Sequence, residues 1–254
     1  TLARLYRRGG RYDEAEAAFL ECRDFFDGLP PEIASWPDIR CEEAGNRLNL
    51  GVLYANARRP GEAEKLWREA IRLFASLAAD FPRVVAYRED HLHAYLNLIS
   101  LLTNASQFRE AAEASREALK PHPNNPSLHA TLAWLLANSP VAELHDFLRA
   151  VEHAEKSVEF GPDTRDHWST LGIARYRAGN WSGCIEAFDR CFQLNPSRRV
   201  TDGLFLAMAQ WQLGQKQEAT ELFGSLAGSI DQNNPQNEEM LRTRAEAVQL
   251  MGLK

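Results

Sequence analysis

Apolar and small residues recur along this chain three, four and seven positions apart, with polar residues between them. In the stretch 168–196, Leu171 and Gly172 fall on one helix face and Cys184, Phe188 and Cys191 on another, with Gly179 between the two sets. That spacing predicts two amphipathic helices folded back on each other at Gly179. Gly172 and Cys184 are small, so the two backbones can approach closely. Pro196 closes the second helix, because the residue before a proline is kept out of the helical region. The same slots return along the chain: Leu2, Ala3, Tyr6, Gly10, Ala15, Phe19 and Cys22, then Leu50, Gly51, Tyr54, Ala63, Trp67 and Ala70, then Leu98, Ile99, Leu102, Ala111, Ser115 and Ala118. A fourth set is Leu132, Ala133, Leu136, Ala150, Ala154 and Ser157, and a last one is Leu206, Ala207, Gly214, Ala219, Phe223 and Leu226.

These sets predict helical hairpins over residues 1–29 (truncated at its start), 44–82, 84–125, 126–163, 165–198 and 200–230. A last helix is predicted over 237–251, with Asn237 as N-cap and Gly252 as its stop. A polar linker, DQNNPQ, precedes it, and that helix is expected to cover the open end of the stack. Pro30, Pro31 and Pro37 predict an irregular connection around Trp36, and SPVAELHDF lengthens the fourth turn. There are no strand candidates, and at least about 70% helix is expected against the 30–35% of an ordinary domain.

Trp168, Leu171, Gly172, Cys184, Phe188 and Pro196 fill the slots of the pattern W-x2-L-G-x2-Y…A-x3-F…P, with Arg175 where the pattern has Tyr and Tyr176 one residue late. The chain therefore resembles tetratricopeptide (TPR) repeat proteins. The resemblance implies an all-α, TPR-type α-solenoid: one stack over 1–254, wound as a right-handed superhelix, with the leading helices on the concave face. The first three sets stand 48 residues apart, Leu2 to Leu50 to Leu98. That exceeds the 34-residue TPR unit by fourteen, about four helical turns. Phrases such as LAWLLANSP, DHWSTLGIARYRAGNW and FLAMAQWQLG also resemble the C-terminal TPR tails of planctomycete-type bacterial serine/threonine protein kinases. None of the kinase motifs is present. The resemblance thus implies a non-catalytic recruitment part of a larger, kinase-linked signalling protein. A chain that begins at Thr1, inside a repeat, is expected to be a fragment of a longer polypeptide.

Composition changes this picture little. The chain has 254 residues, 44% hydrophobic and 25% charged, with a formal charge of −6. An acidic balance argues against a nucleic-acid partner, and no apolar run reaches the length of a membrane span. The four cysteines, Cys22, Cys41, Cys184 and Cys191, have no paired C-x-x-C spacing, and three fall on core slots. They read as reduced, buried thiols in a cytoplasmic protein. Seven histidines carry neither H-x3-H nor H-E-x2-H spacing, so no metal and no cofactor is expected, and there is no nucleophile elbow or P-loop.

The leading helices carry the candidate chemistry. The residue before each Leu-small pair, and the one seven further on, share a face. In order these are Asn49 and Asn56, Asn97 and Asn104, Thr131 and Asn138, Thr170 and Arg177, and Phe205 and Gln212. Asparagine is a modest helix former, so its recurrence there needs a reason. An amide can donate and accept at once, which matches the backbone of an extended peptide; TPR peptide binders use asparagine at this slot. Asn49 and Asn97 are the principal candidates, with Arg4, Arg7 and Arg8 favouring an acidic segment. Asn56 and Asn104 are secondary candidates and read first as helix ends; Thr131 is the same slot as Asn49 and Asn97 in the fourth set. Trp134 offers an apolar anchor or packs between hairpins. The carboxylate-clamp subtype needs lysines and an arginine where this chain has Leu48, Leu96 and Ala130, so it is not expected. The reading is a scaffold that binds a protein or peptide partner; the alternative is a structural or self-association module with no peptide site.

Overall fold

The computed structural model describes residues 2–196, 200–233 and 237–253. Helices occupy 82% of the chain, and among the described residues there is no strand. The chain forms two compact units, Thr1–Ala118 and Leu119–Lys254.

In the first unit α1 (Leu2–Arg8) pairs with α2 (Tyr12–Asp27), α4 (Pro37–Asn56) with α5 (Pro60–Asp80), and α6 (Val85–Asn104) leads into α7 (Phe108–Leu119). The proline-rich connection contains one short helix, α3 (Pro31–Ala34), and Trp36 stays exposed at the start of α4. The extra residues of the 48-residue period lengthen α4, α5 and α6 to 20, 21 and 20 residues, while α7 has only 12.

In the second unit α8 (Pro126–Asn138) pairs with α9 (Phe147–Phe160), α10 (Arg165–Arg177) with α11 (Trp181–Leu194), and α12 (Val200–Gln212) with α13 (Lys216–Asn233). The long fourth turn holds a single 3-10 turn, Ala142–Leu144, and ends at Asp146, whose carboxylate accepts the Arg149 N–H. Helix α14 (Glu238–Met251) begins where the Asn237 side chain accepts the Met240 N–H and stops at Gly252, φ 66°. The expected linker is shorter than its sequence suggests. Helix α13 runs through Asn233, so only 234–237 remain between the helices; of these 234–236 lie outside the described residues, as do 197–199 at the end of the fifth hairpin.

Close approach within hairpins is built on glycine against a large side chain. A Cβ at Gly172 would lie 2.8 Å from the Phe188 ring, one at Gly51 2.5 Å from the Trp67 Nε1, and one at Gly203 2.8 Å from Leu226. Phe188 is fully buried. The Trp67 indole is itself held, donating to the Leu48 carbonyl at 3.1 Å.

Five hairpins turn in the same way. The second residue after the leading helix is left-handed: Gly10, Arg58, Ser106, Gly179 and Gly214. The next N–H reaches back five residues, Arg11 to Tyr6, Arg59 to Tyr54, Gln107 to Leu102, Asn180 to Arg175 and Gln215 to Gln210, all at 2.8–3.0 Å. This is the Schellman closure, which satisfies carbonyls that the helix end leaves orphaned. Cys184 and Cys191 are buried, as their core slots suggest, but Cys22 is only half-buried, and none of the four is in a disulfide.

Candidate functional site

The candidate residues divide between the two units. In the first unit Arg4 of α1 lies against α4, where a Cβ at Gly45 would stand 3.2 Å from its Nη2. Glycine at this point lets the guanidinium rest on the helix backbone. Asn49 follows one turn later, and its Nδ2 donates to the Gly45 carbonyl at 2.6 Å. One amide donor is therefore committed to its own helix, which the sequence pattern did not suggest. On α6 the Asp90 carboxylate stands 4.0 Å from the His93 Nδ1. Burial pushes the Asp90 carboxyl above the usual range, while His93 and Arg4 pull it back. Asn97 lies two turns beyond Asp90 on the same side of α6 and is half-buried. Arg8 and the terminal residues of α4 and α6, Asn56 and Asn104, are exposed. Arg4 thus meets the turn that carries Asn49 and also bears on Asp90, an acidic group that the reading of the sequence missed.

Asparagine at a neighbouring slot has a structural task. Asn46 is buried, and its amide donates to the Phe19 carbonyl at 3.0 Å, joining α4 to α2. On the trailing-helix side of this unit an open cleft of about 630 Å³ is lined by balanced charges. Its Arg47 is held by Asp27 at 3.2 Å, Glu43 at 2.8 Å and Glu69 at 3.1 Å.

In the second unit Thr131 does not present a free hydroxyl, because its Oγ1 donates to the Ser127 carbonyl at 2.9 Å. Phe205, expected on the face, is fully buried. It packs edge-on to Tyr176 at 5.3 Å, with the Arg177 guanidinium 5.0 Å above its ring. In α12 the position before the Leu-small pair is core, not surface. Trp134, Asn138 and Arg177 do lie on the face, and helix α14 lies over them. Trp134 Nε1 donates to Glu239 Oε1 at 3.1 Å, and Asn138 Nδ2 donates to the same oxygen at 2.6 Å. Arg177 pairs with Glu246 at 2.6 Å, and Arg242 donates to the Asn138 carbonyl. Tyr176 is pushed up to about 12, chiefly by burial, with Glu246 adding to the shift. The far end of α14 covers the last hairpin, where Met251 packs with Ala207 and Ala219.

Models of the tetratricopeptide repeat match residues 1–22 and 47–77. Those two stretches carry tetratricopeptide repeats. Human protein O-mannosyl-transferase TMTC3 is 24% identical over 164 residues, 64% of this chain and 17% of the relative. The chain thus spans under a fifth of that relative's length. Two solved repeat proteins share the fold. A tetratricopeptide repeat protein from Parabacteroides merdae is 17% identical at TM-score 0.59, covering 82% of this chain and 73% of the other. YrrB, described as a TPR protein with an unusual peptide-binding site, is 16% identical at TM-score 0.56, covering 80% and 93%. These repeats support a protein-interaction scaffold. No described helix is long and apolar enough to cross a membrane.

Proposed function

We propose that the leading-helix face of the first unit binds an extended, acidic segment of a partner protein. One observation carries this reading: Arg4 rests against the turn of α4 that carries Asn49, within electrostatic reach of α6, where Asn97 shares a side with Asp90. The second N–H and the carbonyl of Asn49, with the amide of Asn97, can pair with a peptide backbone. Arg4 and the exposed Arg8 supply positive charge at the N-terminal end, and Asp90 sets where a ligand's own acid must not fall. YrrB's described peptide-binding site is a parallel on the same fold. Arg7, Asn56 and Asn104 contribute less, since Asn56 and Asn104 end their helices; Thr131 and Trp134 belong to the second unit and are no part of this site.

The wider reading is a non-catalytic recruitment part of a kinase-linked bacterial signalling protein, working in the cytoplasm. It rests on the phrases of the C-terminal half and is tested by reading the gene upstream of Thr1 for a kinase domain. For the site, a partner is captured with this chain as bait, and its binding segment is titrated against the parent and against Asn49→Ala/Asn97→Ala. Each lost neutral hydrogen bond is worth about 0.5–1.5 kcal/mol, so binding should weaken roughly tenfold with the helix content unchanged. Binding as tight as the parent's rejects the site.

A further inference from the structure

In the second unit the leading-helix face is already covered by a segment of the chain itself, and its manner of attachment says what else fits there. We propose that the face formed by α8, α10 and α12 is a helix-docking site, that α14 is its tethered and displaceable occupant, and that its partner is an acidic amphipathic helix with two carboxylates seven residues apart. This goes beyond the reading for the first unit, which concerns another face and an extended ligand.

The face contains a ready seat for a carboxylate. Trp134 Nε1 and Asn138 Nδ2 converge on the single oxygen Glu239 Oε1 at 3.1 and 2.6 Å. Asn138 is almost wholly buried and is fixed from the other side by Arg177, whose Nη2 donates to its Oδ1 at 3.3 Å. Arg177 provides a second seat and takes Glu246 at 2.6 Å. Glu239 and Glu246 are seven residues apart, two turns or about 10.5 Å along a helix. An extended strand would cover that distance in about three residues, so the spacing selects a helix. Arg242 lies between them and donates to the last carbonyl of α8, where a cation is favoured by the helix dipole.

Helix α14 is lightly held on its apolar side. Its buried residues are Met240, Thr243, Ala247 and Met251. By contrast, α5 buries Leu66, Trp67, Ile71, Phe74 and Leu77. Methionine is flexible and polarisable, suited to surfaces that accept more than one partner. Polar pairs at the edge therefore account for much of the specificity of the seat. Beside them a cavity of about 320 Å³, bordered by Ser139, His145, Phe147, Arg177 and Glu246, is left unfilled by α14. A partner helix with a larger side chain there would gain contacts that α14 lacks.

The test uses the whole chain, its Glu239→Ala/Glu246→Ala variant, and a fluorescein-labelled peptide of residues 238–251. Hydrogen exchange should quicken at least tenfold in α14 of the variant and stay unchanged in α8 to α13. The labelled peptide should bind the variant at least tenfold more tightly than the parent. Adding Arg177→Ala to the variant, or removing both carboxylates from the peptide, should abolish that gain. Unchanged protection of α14 overturns the proposal, as does loss of protection through α8, α10 and α12 together, which would make α14 an integral part of the unit. Equal peptide binding by parent and variant also overturns it.

Discussion

Two glycines inside helices make a matched experiment on how these hairpins close. Gly172 of α10 faces the Phe188 ring, and a Cβ there would meet ring carbons at 2.8 Å. Gly224 of α13 has nothing within 4 Å of a Cβ. Carbon atoms rest at about 3.5–4.0 Å, so Gly172→Ala forces roughly an ångström of retreat on a ring with no exposed surface to move into. Overpacking of this kind costs about 1–3 kcal/mol. In both helices the change from glycine also returns up to about 1 kcal/mol of helix propensity. That gain is common to both and cancels in the comparison. Gly224→Ala should therefore stabilise by about 0.5–1 kcal/mol, and Gly172→Ala should be neutral to about 2 kcal/mol destabilising. For a chain of this size 1 kcal/mol shifts a melting temperature by about 2–4 °C. Thermal melts followed by circular dichroism should place Gly172→Ala below Gly224→Ala by several degrees. Because each hairpin is stabilised by its neighbours, the loss should broaden the transition of the second unit. Equal shifts for the two variants would refute close backbone approach as the reason for glycine at this slot.

The thiols and the histidines give two further predictions. A thiol reagent at pH 8 should count two groups in the folded protein, Cys22 and the slower Cys41, whose thiol burial pushes up, and four after unfolding; four in the folded state would contradict the burial of Cys184 and Cys191. His129 is buried, with its Nδ1 2.9 Å from the His153 Nδ1 and its Nε2 2.8 Å from the Pro123 carbonyl. Burial lowers its pKa below the usual 6.5, against the Pro123 hydrogen bond and with help from Lys156. A base with a depressed folded-state pKa contributes fully above its unfolded value and loses stability as pH falls below about 6.5. The urea midpoint should therefore drop between pH 7.5 and 5.5, and His129→Gln should flatten that drop; the same slope in both proteins would refute it.

The hairpins were legible because their interior demands small residues at fixed slots, and the sequence repeats those slots, at a 48-residue interval in the first three sets. The turns were half legible. Gly10, Gly179 and Gly214 mark theirs, whereas Arg58 and Ser106 adopt the same left-handed conformation without the residue that advertises it. The stripe of the leading helices took in Asn138 and Arg177, which meet α14, and also Phe205, which is buried, because periodicity gives a face without saying which neighbour covers it. Glu239 and Glu246 were illegible as binding groups. An acid near a helix start, as Glu239 is, looks like a partner of the helix dipole, Glu246 mid-helix looks like a surface charge, and only the long-range return of α14 onto α8 and α10 gives them another role. The slot singles out Asn49 as a candidate, but the bond to Gly45 that occupies part of its amide is a local choice that no spacing reveals.

The shared turn makes the hairpin tips an edge that can vary independently of the helices beneath. At Arg58 and Ser106, with φ of 58° and 59°, a side chain sits where glycine sits in three other hairpins. Left-handed backbone costs such a residue about 1–2 kcal/mol, yet the closing bonds from Arg59 and Gln107, both 2.8 Å, are as short as those of the glycine turns. What is inherited from tip to tip is thus a backbone shape and not a residue type. The tips of the first unit are fixed mounting points, 48 residues apart in sequence, where charge or bulk can be exchanged while the hairpin keeps its closure.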